Sequence, residues 1–239
     1  MNSFILKIIA CMCMFFDHFG SAFFENITIL NYIGRFSFTI FCFQIVQGYL
    51  HTHDIKKYIK RLALFAIISQ IPFMLFYHVA FDSFAINVIF TLLFGLLAIL
   101  IYDKYNKFVG VCSFLLLAII AQICHFDYGF FGVFIIFMFY LLRNKKIVMS
   151  IIFALAVITK FYMSIIKYGI PFSYLFMGNT YSLLMYFTLF SIIPIFLYNG
   201  KKGKDAKYLF YIFYPVHLLI FSLLKNFFYY LPCFHIPSP

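Results

Sequence analysis

Residues 85–124 read AINVIFTLLFGLLAILIY, then DKYNK, then FVGVCSFLLLAIIAQIC, so two long apolar runs flank one short charged break. Each run approaches the roughly 20 apolar residues with which a helix crosses the hydrocarbon core of a bilayer. The same alternation continues along the 239-residue chain, which is 65% hydrophobic and 10% charged. Because ordinary globular chains are only about half apolar, a water-soluble fold cannot bury this composition. The pattern predicts an all-α polytopic membrane protein.

Nine such runs are predicted spans. They cover residues 4–24, 29–50, 62–81, 85–102, 108–124, 129–142, 147–164, 170–178 joined to 181–198, and 208–231. The sixth run is short, and the glycines and proline between Tyr162 and Thr180 fit a loop or a re-entrant segment, so eight or ten spans are also compatible. The first run lacks a small-residue cleavage site, which favours a retained helix over a signal peptide. We expect a single transmembrane domain over residues 1–239.

The basic residues concentrate in four of the breaks, which lie on one side of the membrane if there are nine spans. They are Lys56, Lys57, Lys60, Arg61, Lys104, Lys107, Arg143, Lys145, Lys146, Lys201, Lys202, Lys204 and Lys207. The opposite breaks at Glu25–Thr28, Phe81–Ala85 and His125–Tyr128 contain no Lys or Arg. By the positive-inside rule the N-terminus and the basic breaks are cytoplasmic and the C-terminus is outside. Topology thus accounts for the net charge of +11 without a nucleic acid partner.

The six cysteines do not indicate a metal site. Most lie inside apolar runs, and none has the paired spacing or the histidine partners of a zinc site. We expect them to act as small apolar packing residues, and we expect no metal. They are Cys11, Cys13, Cys42, Cys112, Cys124 and Cys233.

Ionisable side chains within the predicted spans give the clearest indication of a site. Such groups cost roughly 3 kcal/mol or more in a bilayer, so they tend to face a protein interior or a watery cavity. Asp17 and His18 lie in the first run, Arg35 in the second and His217 in the last. The first three fall in the outer half of the membrane, where we expect Asp17 to pair with Arg35 while His18 faces a cavity. The alternative is an ion pair that only fixes helix packing, with both histidines structural.

Other polar residues are candidates for substrate contact that also have an ordinary structural explanation. Asn87 and Thr91 share one face of the fourth run, where hydrogen bonding between helices explains them equally well. Asp127 and Tyr128 open the sixth run, where a role as N-cap would explain Asp127. Arg61 belongs to the first basic break, whose charge fits topology signalling or the binding of phosphates from a lipid or a nucleotide-bearing donor.

Several short motifs follow one another in order along the chain. They are Asp17-His18-Phe19-Gly20, Ile33-Gly34-Arg35-Phe36-Ser37-Phe38, Gly48-Tyr49-Leu50-His51-Thr52, Ile68-Ser69-Gln70-Ile71-Pro72-Phe73, Asn87-Val88-Ile89-Phe90-Thr91-Leu92, Asp127-Tyr128-Gly129 and Tyr214-Pro215-Val216-His217-Leu218. The ordered set covers essentially the whole chain and resembles the TraX family. Thr39 departs from the family pattern, which has Pro at that position.

The resemblance implies a multi-spanning acyltransferase of the bacterial plasma membrane, similar to the acyltransferase-3 type. The founding TraX member is associated with N-terminal acetylation of conjugative F-pilin. The implied co-substrate is cytoplasmic acetyl-CoA, and the implied acceptor is an amine or hydroxyl of a pilin-like peptide or a cell-surface glycan. The remaining partners would be membrane lipids. The family's Tyr-Pro-x-His motif falls on Tyr214 to His217, which adds Tyr214 to the candidate site.

The resemblance also implies roles for these residues. His18 would remove the acceptor proton or transiently carry the acetyl group, with Asp17 orienting it or pairing with Arg35. Arg35 or Asn87 would stabilise the oxyanion, and His217 would be a second candidate base. A cytoplasmic donor and a cluster in the outer half together predict a continuous polar tunnel. The alternatives are a proton-coupled small-molecule transporter, disfavoured by the lack of inverted repeats, and a membrane scaffold.

Overall fold

The computed structural model describes residues 1–24, 26–77, 85–176, 179–204 and 207–229, and it confirms the all-α class. Within these residues the only β-type pairing is an isolated bridge between Ile86 and Phe126. The helices are α1 Ser3–Phe23, α2 Ile29–His51, α3 Ile55–Tyr77, α4 Val88–Lys104, α5 Lys107–Ile123, α6 Gly129–Leu141, α7 Lys146–Tyr168, α8 Thr180–Phe190, α9 Ile193–Phe196 and α10 Lys207–Tyr229. A 3-10 turn covers Phe172–Leu175.

Five helices in the described part of the chain are long and apolar enough to cross a membrane. They are α1, α2, α3, α7 and the segment Tyr208–Phe227 of α10. Shorter apolar helices are α5, α6 and the segment Ser182–Phe196, and α4 has 17 residues. The protein is therefore a helical membrane bundle, in which long spans pack together with shorter apolar helices.

Two of the predicted runs had wrong bounds. The third helix begins at Ile55, not at residue 62, so the first basic break mostly forms the first two turns of α3. Asp54 caps this start, because its carboxylate accepts the backbone N–H of Lys57 at 2.9 Å, and that hydrogen bond lowers the pKa of Asp54. The eighth run divides into the 3-10 turn, α8 and α9. Expectations about Glu25, residues 81–84, Gly178 and Cys233 lie outside the described residues.

The second helix lies at the centre of the bundle. It packs along α1 and also contacts α4, α6 and α8, whereas α10 packs against α1 and α3. About 61% of the apolar part of α2 is buried, compared with 22% of α7. Side chains on several faces of α2 therefore face protein, and this helix can carry polar groups that a lipid-facing helix could not.

Several of the predicted basic breaks lie at one end of the bundle, where hydrogen bonds join the N-terminus of α1 to the segment before α10 and the C-terminal ends of α2, α4 and α6 to one another. The N-terminal ammonium group donates to the carbonyl of Leu197, and the N–H of Ser3 donates to the carbonyl of Lys201 at 2.8 Å. At the ends of α2, α4 and α6, the hydroxyls of Tyr49 and Tyr140 both donate to the carboxylate of Asp103 at 2.7 Å. We call this end of the bundle the basic end.

A glycine allows α1 and α2 to approach closely, and replacing it should destabilise the fold. A Cβ at position 34 would overlap the Cβ and Cγ atoms of Asp17. We expect Gly34→Ala to push the helices apart, at a cost of about 1–3 kcal/mol of stability, and to lower the thermal unfolding midpoint in detergent. Gly169→Asn is the control, since Gly169 has φ +63°, which Asn tolerates, and no atom within 4 Å of an added Cβ. Equal midpoints for the Gly34→Ala variant and the wild type would contradict this packing.

Candidate active site

An ion pair joins α1 to α2, as the sequence predicted. Nη2 of Arg35 donates to both carboxylate oxygens of Asp17, at 3.0 and 3.1 Å. Nδ2 of Asn31 also donates to Oδ1 of Asp17 at 3.2 Å, and Nε of Arg35 donates to the Asn31 carbonyl. Both side chains remain partly accessible, at 30% for Arg35 and 17% for Asp17. The carboxylate is thus held by two donors, and Nη1 of Arg35 has no hydrogen-bond partner among the described residues.

The two intramembrane histidines bond to each other, although 199 positions separate them in sequence. Nδ1 of His18 lies 2.7 Å from Nε2 of His217, and Nδ1 of His217 lies 2.6 Å from the carbonyl oxygen of Phe213. Both side chains are buried. The sequence identified both residues, but it offered Asp17, not His217, as the group that orients His18.

This chain of hydrogen bonds fixes the tautomers of two neutral imidazoles. A carbonyl oxygen only accepts, so the proton of His217 lies on Nδ1 and its Nε2 is an acceptor. The hydrogen between the rings must then come from Nδ1 of His18. It follows that Nε2 of His18 carries a lone pair and no proton, which is the form that a general base requires.

A cavity of about 240 Å³, which we call the histidine cavity, adjoins His18. Its charged and polar lining residues are Asp17, His18, Arg35, Ser37, Tyr77, Asp127, Tyr128, Lys160 and Tyr214. Two acidic and two basic side chains therefore face a single small space between the helices. Ionisable groups concentrated in this way are expected at a binding or catalytic site and not on a lipid-facing surface.

Lys160 lines this cavity but was not among the site residues predicted from the sequence. It lies in α7, with Nζ 4.7 Å from the ring centre of Tyr128 and 4.5 Å from that of Phe131. Cation–π contacts of this kind stabilise an ammonium group in a partly desolvated site. The available signal was a single lysine inside the apolar run 147–164.

A second cavity of about 460 Å³, the basic cavity, reaches the basic end of the bundle. Its charged lining residues are Lys7, Asp54, Lys57, Arg61 and Lys202, together with His51 and His53. The two cavities share Met14, Phe41, Val88, Leu92 and Tyr214 as lining residues. They adjoin at these five side chains, four of which are apolar, and the continuous polar tunnel expected from the sequence stays a prediction.

The comparison with protein families agrees with the order of motifs along the chain. The family model described as TraX protein matches residues 3–225, which is most of the sequence. The chain belongs to the TraX family. It is also similar to the probable fimbrial assembly protein FimC, serogroup H1, of Dichelobacter nodosus, with 28% identity over 250 residues that cover 95% of this chain and 96% of the relative. No solved structure matches.

Three further candidates of this TraX family member meet at the turn before α6. The hydroxyl of Thr91 donates to the backbone carbonyl of Asp127 at 2.5 Å, and the N–H of Asp127 donates to the carbonyl of Ile86. Tyr128, at φ +64°, occupies the N-cap position, so the expected N-cap role of Asp127 is wrong. The ring of Tyr128 stacks on the ring of Phe38 with their centres 3.5 Å apart. These contacts hold Asp127 and Tyr128 at the cavity wall, whereas Thr91 lies behind it.

Asn87 is occupied by contacts within the protein. Its Oδ1 accepts the N–H of Ile89 and so caps α4, while its Nδ2 donates to the carbonyl of Ala66 and to Oε1 of Gln70. The side chain is fully buried and does not line either cavity. This geometry offers no free donor for a substrate or an oxyanion, so the chemistry considered below omits Asn87.

Proposed function

We propose that the protein is a membrane-embedded acyltransferase that moves an acetyl group from cytoplasmic acetyl-CoA to an extracytoplasmic amine or hydroxyl. The observation that carries this proposal is that His18, which is hydrogen-bonded to His217, lines a cavity that adjoins the basic cavity. The basic end would receive a phosphate-bearing donor, and the histidine cavity would receive the acceptor. Membership of the TraX family supports the same activity.

In this mechanism His18 acts as a general base. Its Nε2 takes the proton of the acceptor amine or hydroxyl as the nitrogen or oxygen attacks the thioester carbonyl. The carbonyl π electrons move to oxygen, and the resulting tetrahedral intermediate collapses with cleavage of the carbon–sulfur bond. The imidazolium of His18 then returns the proton to the departing CoA thiolate. His217 holds His18 in the reactive tautomer and stabilises the charge through the 2.7 Å hydrogen bond.

Arg35 is the group best placed to stabilise the oxyanion. Asp17 fixes one terminal nitrogen of the guanidinium, which leaves Nη1 for the cavity side. A charged donor held in place before reaction stabilises developing negative charge at little reorganisation cost. Asp17 is therefore a positioning residue for Arg35 in this scheme and does not orient His18.

The proposed topology has about nine spans, with the N-terminus and the basic end in the cytoplasm of a bacterium. Lys or Arg residues lie in each connection at the basic end or in the helix turns next to it, which supports this orientation by the positive-inside rule. In that orientation the donor enters from the side where acetyl-CoA is made. The relative with a fimbrial assembly name supports a pilin-like peptide N-terminus as the acceptor, and a cell-surface glycan is the other acceptor considered.

The test is an acetyl-transfer assay in nanodiscs. Purified protein receives acetyl-CoA labelled in the acetyl group, with either a pilin-like peptide or a glycan fragment as acceptor. We expect CoA release together with transfer of label to one acceptor. Folded protein that neither binds acetyl-CoA nor releases CoA would contradict the proposal and favour the transporter alternative, which uptake into proteoliposomes would then test.

His217 provides a prediction about tautomer control. We expect His217→Leu to lower kcat on the order of 10²-fold, because Nδ1 of His18 loses its acceptor, while the KM for acetyl-CoA stays constant. His217→Gln should recover part of the loss, since an amide oxygen can accept the same hydrogen bond. The measurement is a steady-state comparison of the two variants. If both variants lose kcat to the same degree, His217 acts through packing alone.

A further inference from the structure

The wall of the basic cavity contains a buried amide that lacks a full set of partners. Oε1 of Gln44 accepts the hydroxyl of Ser3 at 2.6 Å, which turns the amide nitrogen away from Ser3. Nε2 of Gln44 has no hydrogen-bond partner among the described residues, although the side chain is only 6% exposed. A buried donor without an acceptor costs about 1–3 kcal/mol, so a ligand carbonyl that reaches Nε2 from the cavity would be stabilised by this hydrogen bond.

A second unpaired donor lies in the same wall. Nε of Arg61 is buried and also lacks a partner within the described chain, and Arg61 lines the basic cavity together with Lys57 and Lys202. Four Lys or Arg side chains and a single carboxylate, that of Asp54, line this cavity. The charge balance favours an anionic ligand, and the guanidinium group favours phosphate oxygens.

The order of these groups along α2 defines the length of the ligand. His51, the last residue of α2, and Gln44 line the basic cavity, and Arg35 lines the histidine cavity. With about 1.5 Å of rise per residue, Gln44 lies about 10 Å along the helix from His51 and about 13 Å from Arg35. A ligand that extends along α2 from the basic cavity to the histidine cavity would carry its anionic head at one end, a carbonyl acceptor part-way along and its reacting group at the far end.

We infer that Gln44 is a specificity residue that donates from Nε2 to an amide carbonyl in the pantetheine arm of the acyl-CoA donor. This inference rests on the proposed function and assigns the arm to one wall of the basic cavity, with the phosphates near Arg61. Ser3 positions the amide by holding Oε1. A thioester without amides in its arm would leave Nε2 unsatisfied and would bind more weakly.

Binding measurements with three probes test this assignment in nanodiscs. The probes are CoA, adenosine 3′,5′-bisphosphate, which has the head without the arm, and pantetheine, which has the arm without the head. We expect Gln44→Met, which keeps the side-chain length, to weaken binding of CoA and pantetheine by about three- to tenfold. Binding of the bisphosphate should be unchanged, which also shows that the variant is folded.

The control is Gln122→Met, since Gln122 is exposed in α5 and lines neither cavity, so binding of all three probes should stay at the wild-type level. Unchanged CoA binding by the Gln44→Met variant would overturn the inference. An equal loss for CoA and the bisphosphate would also overturn it, because the residue would then act on the shape of the cavity. Failure of the wild type to bind CoA at all would instead count against the proposed function.

Discussion

Replacing His18 with alanine is expected to lower kcat for acetyl transfer by about 10³-fold, with little change in acetyl-CoA binding. General-base catalysis accelerates a reaction on the order of 10²–10⁴-fold. Of the two bonded histidines, His18 lines the histidine cavity, and its Nε2 is unprotonated. His18 does not line the basic cavity, so the affinity for the donor should persist. Release of CoA and its equilibrium binding, measured on the same preparation, separate the two quantities.

A matched variant and a labelling experiment make this result specific. His125→Asn replaces another histidine, one that is exposed in the turn between α5 and α6 and has a left-handed backbone that Asn tolerates, so we expect wild-type rates. Acetyl label that stays on the wild-type protein and is absent from the His18→Ala variant would assign a covalent role to His18 instead of a base role. A loss below about tenfold in the His18→Ala variant would remove His18 from the chemistry.

The sequence predicted the class of fold and several residues that the structure brings together better than it predicted how those residues pair. An ionisable side chain within an apolar run is costly in lipid, so Asp17, His18, Arg35 and His217 can be identified without a structure. Pairing depends on which helices touch, and α1 and α10 come from opposite ends of the chain. Asp17 was an equally reasonable partner for His18 until the packing placed His217 at 2.7 Å.

Other features could not be predicted from hydropathy, because a hydropathy value is an average over a window of residues. The first turns of α3 carry Lys56, Lys57, Lys60 and Arg61, so an apolar window begins too late, whereas the cap by Asp54 shows where the helix starts. Asn87 is a polar residue in an apolar run, as a site residue would be, and only its three hydrogen bonds show that it caps α4 and holds it to α3. Local charge and polarity identify candidate groups, and the tertiary contacts decide whether a candidate has a free donor.

Replacing Arg35 with glutamine, which removes its charge, is expected to lower kcat by about 10²–10³-fold. Combining this substitution with Asp17→Asn separates an effect on catalysis from an effect on helix packing. Arg35→Gln leaves the carboxylate of Asp17 without its cation, and Asp17→Asn leaves the guanidinium without its anion. Either single variant should therefore unfold at a lower temperature than the wild type, because an unpaired charge between helices is costly. The double variant, Asp17→Asn with Arg35→Gln, has no unpaired charge and can keep a hydrogen bond between the two amides.

The double variant distinguishes the two interpretations of the ion pair. If Arg35 stabilises the oxyanion, the double variant recovers most of the thermal stability while its kcat remains as low as that of Arg35→Gln. If the pair only fixes the packing of α1 on α2, stability and kcat recover together. The measurements are unfolding midpoints and acetyl-transfer rates for the four proteins. Recovery of both quantities would remove Arg35 from the chemistry and leave the histidine pair to account for catalysis.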